Sequence, residues 1–172
     1  MDELAHKMGI SKKTLYEHFN NKEMLVVESL KYMLKRIKVD IDHHVNIYTS
    51  QPLKAVMYIY NLAFNNMEQF SPSFLFGLKK YYTEAYEAYE GFRKEIVYGT
   101  IIDLLEKAKT LKQIRADINF TLFCDIHYAQ IENILFSRHH FFERYQTSEL
   151  LEYLILNGLR GIMTQPKLLD DY

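Results

Sequence analysis

Apolar residues recur along the chain at spacings of three and four, the period of an α-helix that turns one face inward. The clearest run is Val26, Leu30, Met33, Ile37 and Ile41, which predicts a long helix starting at Asn20 or Asn21 with Lys22 and Glu23 in its first turn. Gln51-Pro52 opens a second stripe (Leu53, Val56, Met57, Tyr60, Ala63, Phe64, Met67), and Ser71-Pro72 a third (Leu75, Leu78, Tyr82, Ala85, Tyr89, with Phe74 and Tyr81 beside it). Proline lacks only an N–H that the first helical turn leaves unpaired anyway, so both dipeptides read as helix starts. A separate helix is expected around Ile96, Ile101, Leu104 and Leu105. Another, capped by Asp117 or Asn119, runs through Phe120, Phe123, His127, Ile131 and Leu135. The last starts at Thr147-Ser148-Glu149 and carries Leu151, Leu154, Ile155, Gly158, Leu159 and Ile162. Ahead of the long helix, DELAHKM and KKTLYEHF predict two short ones, parted by Gly9 and capped by Ser11. Eight helices and no alternating strand pattern predict an all-α protein, and residues 166–172 a frayed tail.

Composition agrees: 172 residues hold only six glycines and three prolines, too few for the many tight turns of an all-β fold. One cysteine, Cys124, excludes an intramolecular disulfide, and no apolar stretch reaches the ~20 residues of a membrane span. A cytoplasmic protein with no membrane partner is expected. The net charge of −1 is unevenly spread. Residues 1–38 carry eight lysines and arginines against five acids, which leaves a basic head on an acidic body.

Two short helices joined by a glycine-containing turn make a helix-turn-helix. Leu4, Ala5, Met8, Ile10, Leu15 and Phe19 are expected to fix the pair, while the second helix presents Lys12, Lys13, Thr14, Tyr16, Glu17 and His18 outward. In this motif lysine ammonium groups and helix amino termini meet phosphate, and hydroxyls and rings reach base edges or thymine methyls. The order Leu4-Ala5, Gly9-Ile10-Ser11, Thr14-Leu15-Tyr16-Glu17-His18-Phe19 and Lys22-Glu23-x-Leu25 resembles the signature of TetR-type transcriptional regulators.

The resemblance implies an all-α fold, with residues 1–45 a helix-turn-helix head and connecting helix and residues 46–172 a helical-bundle body for effector binding and dimerisation. It implies a repressor that binds a palindromic double-stranded DNA operator as a homodimer and releases it on binding a small molecule. The DNA contacts it implies are Ser11, Lys12, Lys13, Thr14, Tyr16, His18 and Lys22, with Glu17 at a variable position. Heads of this family have one more helix before the one that starts here at Asp2, so the sequence is read as a fragment whose head lacks it. The alternative function is a helical dimeric interaction or ligand-binding module whose head no longer binds DNA.

The body is rich in tyrosine and phenylalanine, and a buried tyrosine needs a partner for its hydroxyl, which suits a cavity better than a dry core. Tyr60, Phe64, Phe74, Leu78, Tyr82, Tyr86, Ile101, Phe123 and His127 are the expected cavity lining. With no basic cluster in the stripes, the expected effector is neutral or cationic and largely apolar. Tyr81, Tyr82, Tyr86 and Tyr89 alternate with Glu84, Glu87 and Glu90, as on a half-exposed helix. Leu151, Leu154, Ile155, Gly158 and Ile162, with Gly161 permitting close approach, are the expected dimer interface. Asp40, Asp42, His43 and His44, or His139, His140 and Glu143, hold metal-ligand residue types, but adjacent histidines leave a helix on different sides, so no metal is expected. Neither a nucleophile elbow, a phosphate loop nor an acid-base pair is present, so no cofactor and no catalysis are expected. Cys124 is expected to be inert packing.

Overall fold

The computed structural model describes residues 1–66, 70–136 and 141–165. It is all-α, a helix-turn-helix head followed by a helical body. The head is α1 (Asp2–Lys7) and α2 (Lys12–His18), and α3 (Lys22–Ile47) joins it to α4 (Pro52–Asn65), α5 (Pro72–Tyr81), α6 (Thr83–Lys94) and α7 (Ile102–Thr110). Then come α8 (Phe120–Phe136), α9 (Phe141–Arg144), α10 (Thr147–Leu151) and α11 (Asn157–Ile162). Apart from an isolated bridge between Ile114 and Met163, no strand pairing occurs among the described residues.

Most boundaries follow from the side chains that start and stop helices. Pro52 and Pro72 stand in the first turns of α4 and α5, Ser71 accepts from the Phe74 N–H at 3.2 Å, and Asn119 from the Leu122 N–H at 3.1 Å. Gln146 and Glu149 cap each other's backbone at the start of α10, one residue before the expected signal.

Two expectations are corrected. The stripe from Ser71 is not one helix, because Tyr82 is extended (φ −138°, ψ 65°) and splits α5 from α6. Conversely, α6 and α7 are not separate. The wide turns of a π-helix, Glu95–Ile101, carry the chain from one into the other across Gly99. A second π segment, Glu152–Leu156, likewise joins α10 to α11, and α9 was not foreseen. The expected tail and Met67, His139 and His140 lie outside the described residues.

Two apolar cores stack along α3. The upper one takes Val27, Leu30 and Leu34 with Phe70, Leu75, Leu78, Ala85, Tyr89 and Leu135. The lower and larger one takes Ile41 with α4, α7, α8 and the last helices, centred on Val56, Leu105 and Ile155, all fully buried. Ion pairs Lys31–Glu84 (3.3 Å) and Lys38–Glu95 (3.7 Å) tie α3 to the helix that passes along it.

Candidate functional site

The head is built by local chemistry. Past the end of α1 the Ile10 N–H donates to the Ala5 carbonyl and the Gly9 N–H to the His6 carbonyl, both at 3.1 Å, which closes the helix in a Schellman turn. That turn needs a left-handed residue, and Gly9 supplies it at φ +66°. Ser11 then caps α2 by accepting from the Thr14 N–H at 3.0 Å, and Asn21 caps α3 by accepting from the Met24 N–H at 2.7 Å. Ala5 and Leu15, the latter 1% exposed, are the apolar pins between the helices. Leu4 and Met8 are exposed, against the expectation that they belong to the contact, and Ile10 and Phe19 are half-buried.

With Leu15 held down, the opposite side of α2 is free. Lys12, Lys13, Tyr16, Glu17 and His18 are exposed, as is Lys22 at the start of α3, while Thr14 is half-buried. Ser11 Oγ, besides capping, lies 2.8 Å from Thr14 Oγ1. Lys12 Nζ stands 2.8 Å from Asp2, and this bond holds the carboxyl below its usual range and raises the ammonium. Both partners are in water, so the pair is screened and weak. The Lys22 ammonium sits 5.9 Å over the Tyr82 ring, at the break between α5 and α6. A cationic, aromatic and hydroxylic face about two helical turns long is thus presented on a rigid support.

Residues 1–28 match the family model described as bacterial regulatory proteins, tetR family. The head is thus similar to that of TetR-type transcriptional regulators. It is also 28% identical over 165 residues to the uncharacterized HTH-type transcriptional regulator YvaF of Bacillus subtilis (strain 168), covering 94% of this chain and 84% of that protein. No solved structure matches the chain. In the helical body behind this head, none of the described helices is long and apolar enough to cross a membrane.

That body contains a cavity of about 140 Å³, walled mainly by apolar side chains of α3, α4, α6, α8 and the π segment before α7. Four of the nine expected lining residues, Tyr60, Phe64, Ile101 and His127, stand in its wall. The other five do not. Phe74 is exposed and meets Phe70 edge-on, Leu78 belongs to the upper core, and Tyr82 lies under Lys22. Tyr86 packs beside Tyr89 and Phe136, and Phe123 lies on the His127 ring with centroids 4.2 Å apart.

Sequence reasoning missed the polar part of the wall. Arg93 Nη1 donates to Glu90 at 2.7 Å, the Tyr128 hydroxyl donates to the other Glu90 oxygen, and the guanidinium lies 4.3 Å from the Tyr128 ring centre. Glu84 and Glu87 are exposed as expected, but Glu90 is turned in. The spacing Tyr89-Glu90-x-x-Arg93 was its only signal in the sequence. Burial raises the hydroxyl pKa of Tyr60 and Tyr128 and pushes that of Tyr89 up to about 12, so these phenols stay neutral donors at ordinary pH.

The expected dimer residues are largely used within the chain. Ile155 and Ile162 are in the lower core, Leu151 packs on it, Leu154 is in the cavity wall, and Gly158 touches His127. What remains uncovered is different. Leu122 (56% exposed) and Ile126 lie on the side of α8 opposite Phe120, Cys124 and His127, and Tyr153 (77% exposed) stands out from the last helical stretch. A helix apolar on two opposed sides suits cover from both.

The aspartate and histidine run near residue 40 is spent on structure. His44 stacks on Tyr58 at 3.7 Å and its Nδ1 lies 2.9 Å from the Asp40 carbonyl, while the Tyr58 hydroxyl donates to the Asp40 carboxylate at 2.6 Å. Among the described residues no three candidate ligands gather to hold a metal. Cys124 is 1% exposed and burial pushes its thiol up to about 11. Since the thiolate is the reactive form, native protein should resist iodoacetamide for hours at pH 8 and react fully in denaturant, as mass spectrometry would read out. Rapid labelling of native protein would contradict this burial.

Proposed function

We propose that the protein is a ligand-responsive repressor that binds a palindromic operator as a homodimer and releases it when a small molecule enters the body cavity. The observation that carries this reading is the uncovered face of α2, Lys12, Lys13, Tyr16 and His18 with Lys22 beside it, held rigid by the buried Leu15 and the caps at Ser11 and Asn21. The amino-terminal residues of such a helix enter the major groove, and lysines at its edges meet phosphate. Ser11 and Thr14 contribute at the same end of the helix.

Two-fold related heads read two half-sites 34–36 Å apart, or a multiple of that, which makes the operator symmetric. In place of the interior residues of the last helices, the exposed apolar face of Leu122, Ile126 and Tyr153 is the surface a second copy would cover. Leu122→Glu together with Ile126→Glu should convert dimer to monomer in analytical ultracentrifugation with helicity retained. A double variant that still sediments as a dimer would move the interface elsewhere.

Release follows from shared elements. Tyr89, Phe92 and Arg93 in the cavity wall lie on α6, which Lys31 of α3 reaches at Glu84 while Lys38 reaches Glu95 just past its end, and α3 begins at Lys22 beside the head. A ligand that alters the packing of α6 therefore alters the placement of the head. DNase footprinting of the region upstream of the protein's own gene tests the reading. A symmetric protected site is expected, and the absence of any protected site in that region would refute it.

A further inference from the structure

One side chain in the wall of the body cavity carries a buried polar atom with nothing to bond. His127 is 7% exposed, lines the cavity, and its Nδ1 has no hydrogen-bond partner among the described residues. A buried polar group left unpaired in apolar surroundings weakens the fold, and a bonded partner restores the loss. The ring is not free to turn and find one within the chain. One face lies on Phe123, and its Cε1–Nε2 edge occupies the space beside Gly158, 2.6 Å from where a Cβ would stand.

The chemistry of a suitable partner is constrained on three sides. Burial lowers the pKa of His127, so the ring is neutral and has one donor nitrogen and one acceptor. A hydroxyl serves either tautomer, donating to a bare Nδ1 or accepting from a protonated one. Net charge on the ligand finds no counterpart among the described residues, because the cation of the wall, Arg93, is already neutralised by Glu90 at 2.7 Å. An anion would have to displace that carboxylate, and a cation would face the guanidinium. The volume of about 140 Å³ is close to that of the roughly 150 Å³ apolar cavities that take up one benzene ring.

We propose that the cavity binds an uncharged hydroxy compound of about single-ring size, its hydroxyl hydrogen-bonded to His127 Nδ1 and its hydrocarbon body against Tyr60, Phe64 and Ile101. This deepens, and rests on, the reading of the cavity as the effector site. Aromatic and aliphatic hydroxy compounds share the required chemistry.

Calorimetric titration of the full chain with p-cresol and with p-xylene tests it, since the two differ only by a hydroxyl in place of a methyl. The wild type should bind p-cresol about tenfold or more tighter than p-xylene, and His127→Leu should bring the ratio close to one. Cyclohexanol binding that is lost in the same variant would assign the site to alcohols in general, and its failure alongside p-cresol binding would assign it to phenols. If His127→Leu does not fold, the wild-type ratio stands, together with a shift of the His127 ring nitrogens in ¹⁵N spectra with p-cresol and not with p-xylene. Equal affinities, no binding of either probe, or an unchanged preference in a folded His127→Leu would overturn the proposal. Failure of the repressor reading would appear as missing operator binding in ligand-free protein, a measurement these titrations do not touch.

Discussion

Replacing Tyr16 and Lys22 together by alanine is expected to weaken operator binding about 30-fold while leaving the thermal unfolding midpoint within a few degrees of wild type. Each contact of this kind contributes roughly 1 kcal/mol, and about 1.4 kcal/mol is tenfold in affinity. The fold is spared because both side chains are exposed. Lys22 also gives up its place 5.9 Å over the Tyr82 ring, an exposed cation–π contact of about 0.5 kcal/mol, too small to unfold the chain. The two losses differ in kind. Loss of Lys22 should weaken all sequences alike and reduce the salt dependence by about one unit, whereas loss of Tyr16 should weaken the operator more than random DNA. Fluorescence anisotropy at three salt concentrations separates them. An unchanged affinity would mean that this face of α2 does not meet the duplex.

Gly158→Ala should destabilise the protein, and Gly91→Ala should stabilise it, although both glycines are helical. Alanine is favoured over glycine in a helix by roughly 0.5–1 kcal/mol, and at Gly91 no atom stands within 4 Å of the added methyl. That gain should appear in full. At Gly158 the methyl would lie 2.6 Å from both Cε1 and Nε2 of His127, a ring backed by Phe123. Overpacking of a filled interior costs about 1–3 kcal/mol, which exceeds the helical gain. The expected net loss is about 1–2 kcal/mol in chemical denaturation, with a change in cavity shape, since the displaced ring stands in its wall. A stabilised Gly158→Ala would show that His127 is not packed against the helix as described.

The head was legible because its structure is written in residues close together in sequence. Gly9 is needed for one left-handed turn, Ser11 and Asn21 each accept from the N–H three residues on, and Leu15 is the one large side chain that can face α1. Such signals do not depend on the rest of the chain. The split at Tyr82 carried no local mark, neither glycine nor proline, and depends on how α5 and α6 pack against α3. For the same reason the aromatic stripes disclosed Tyr60, Phe64, Ile101 and His127 but not Arg93 and Tyr128. Periodicity says that a helix has an inward face, while tertiary packing decides which flanking polar residues that face brings along.

The last helices show the complementary limit. Leu154, Ile155 and Ile162 have the spacing of a buried face, but a partner's helix and the chain's own core ask for the same pattern. The structure turns these residues into the cavity wall and the lower core, and leaves Leu122, Ile126 and Tyr153 outward. Leu122 and Ile126 share one side of α8 while Tyr153 belongs to the last helical stretch, so no single stripe holds all three.

The most direct test is the affinity of the wild-type protein for DNA from upstream of its own gene, measured against a scrambled fragment of equal length across a salt series. The account predicts a preference for the upstream fragment of 10³-fold or more, with affinity falling steeply as salt rises. Equal binding of the two fragments, or no binding at low salt, would contradict it.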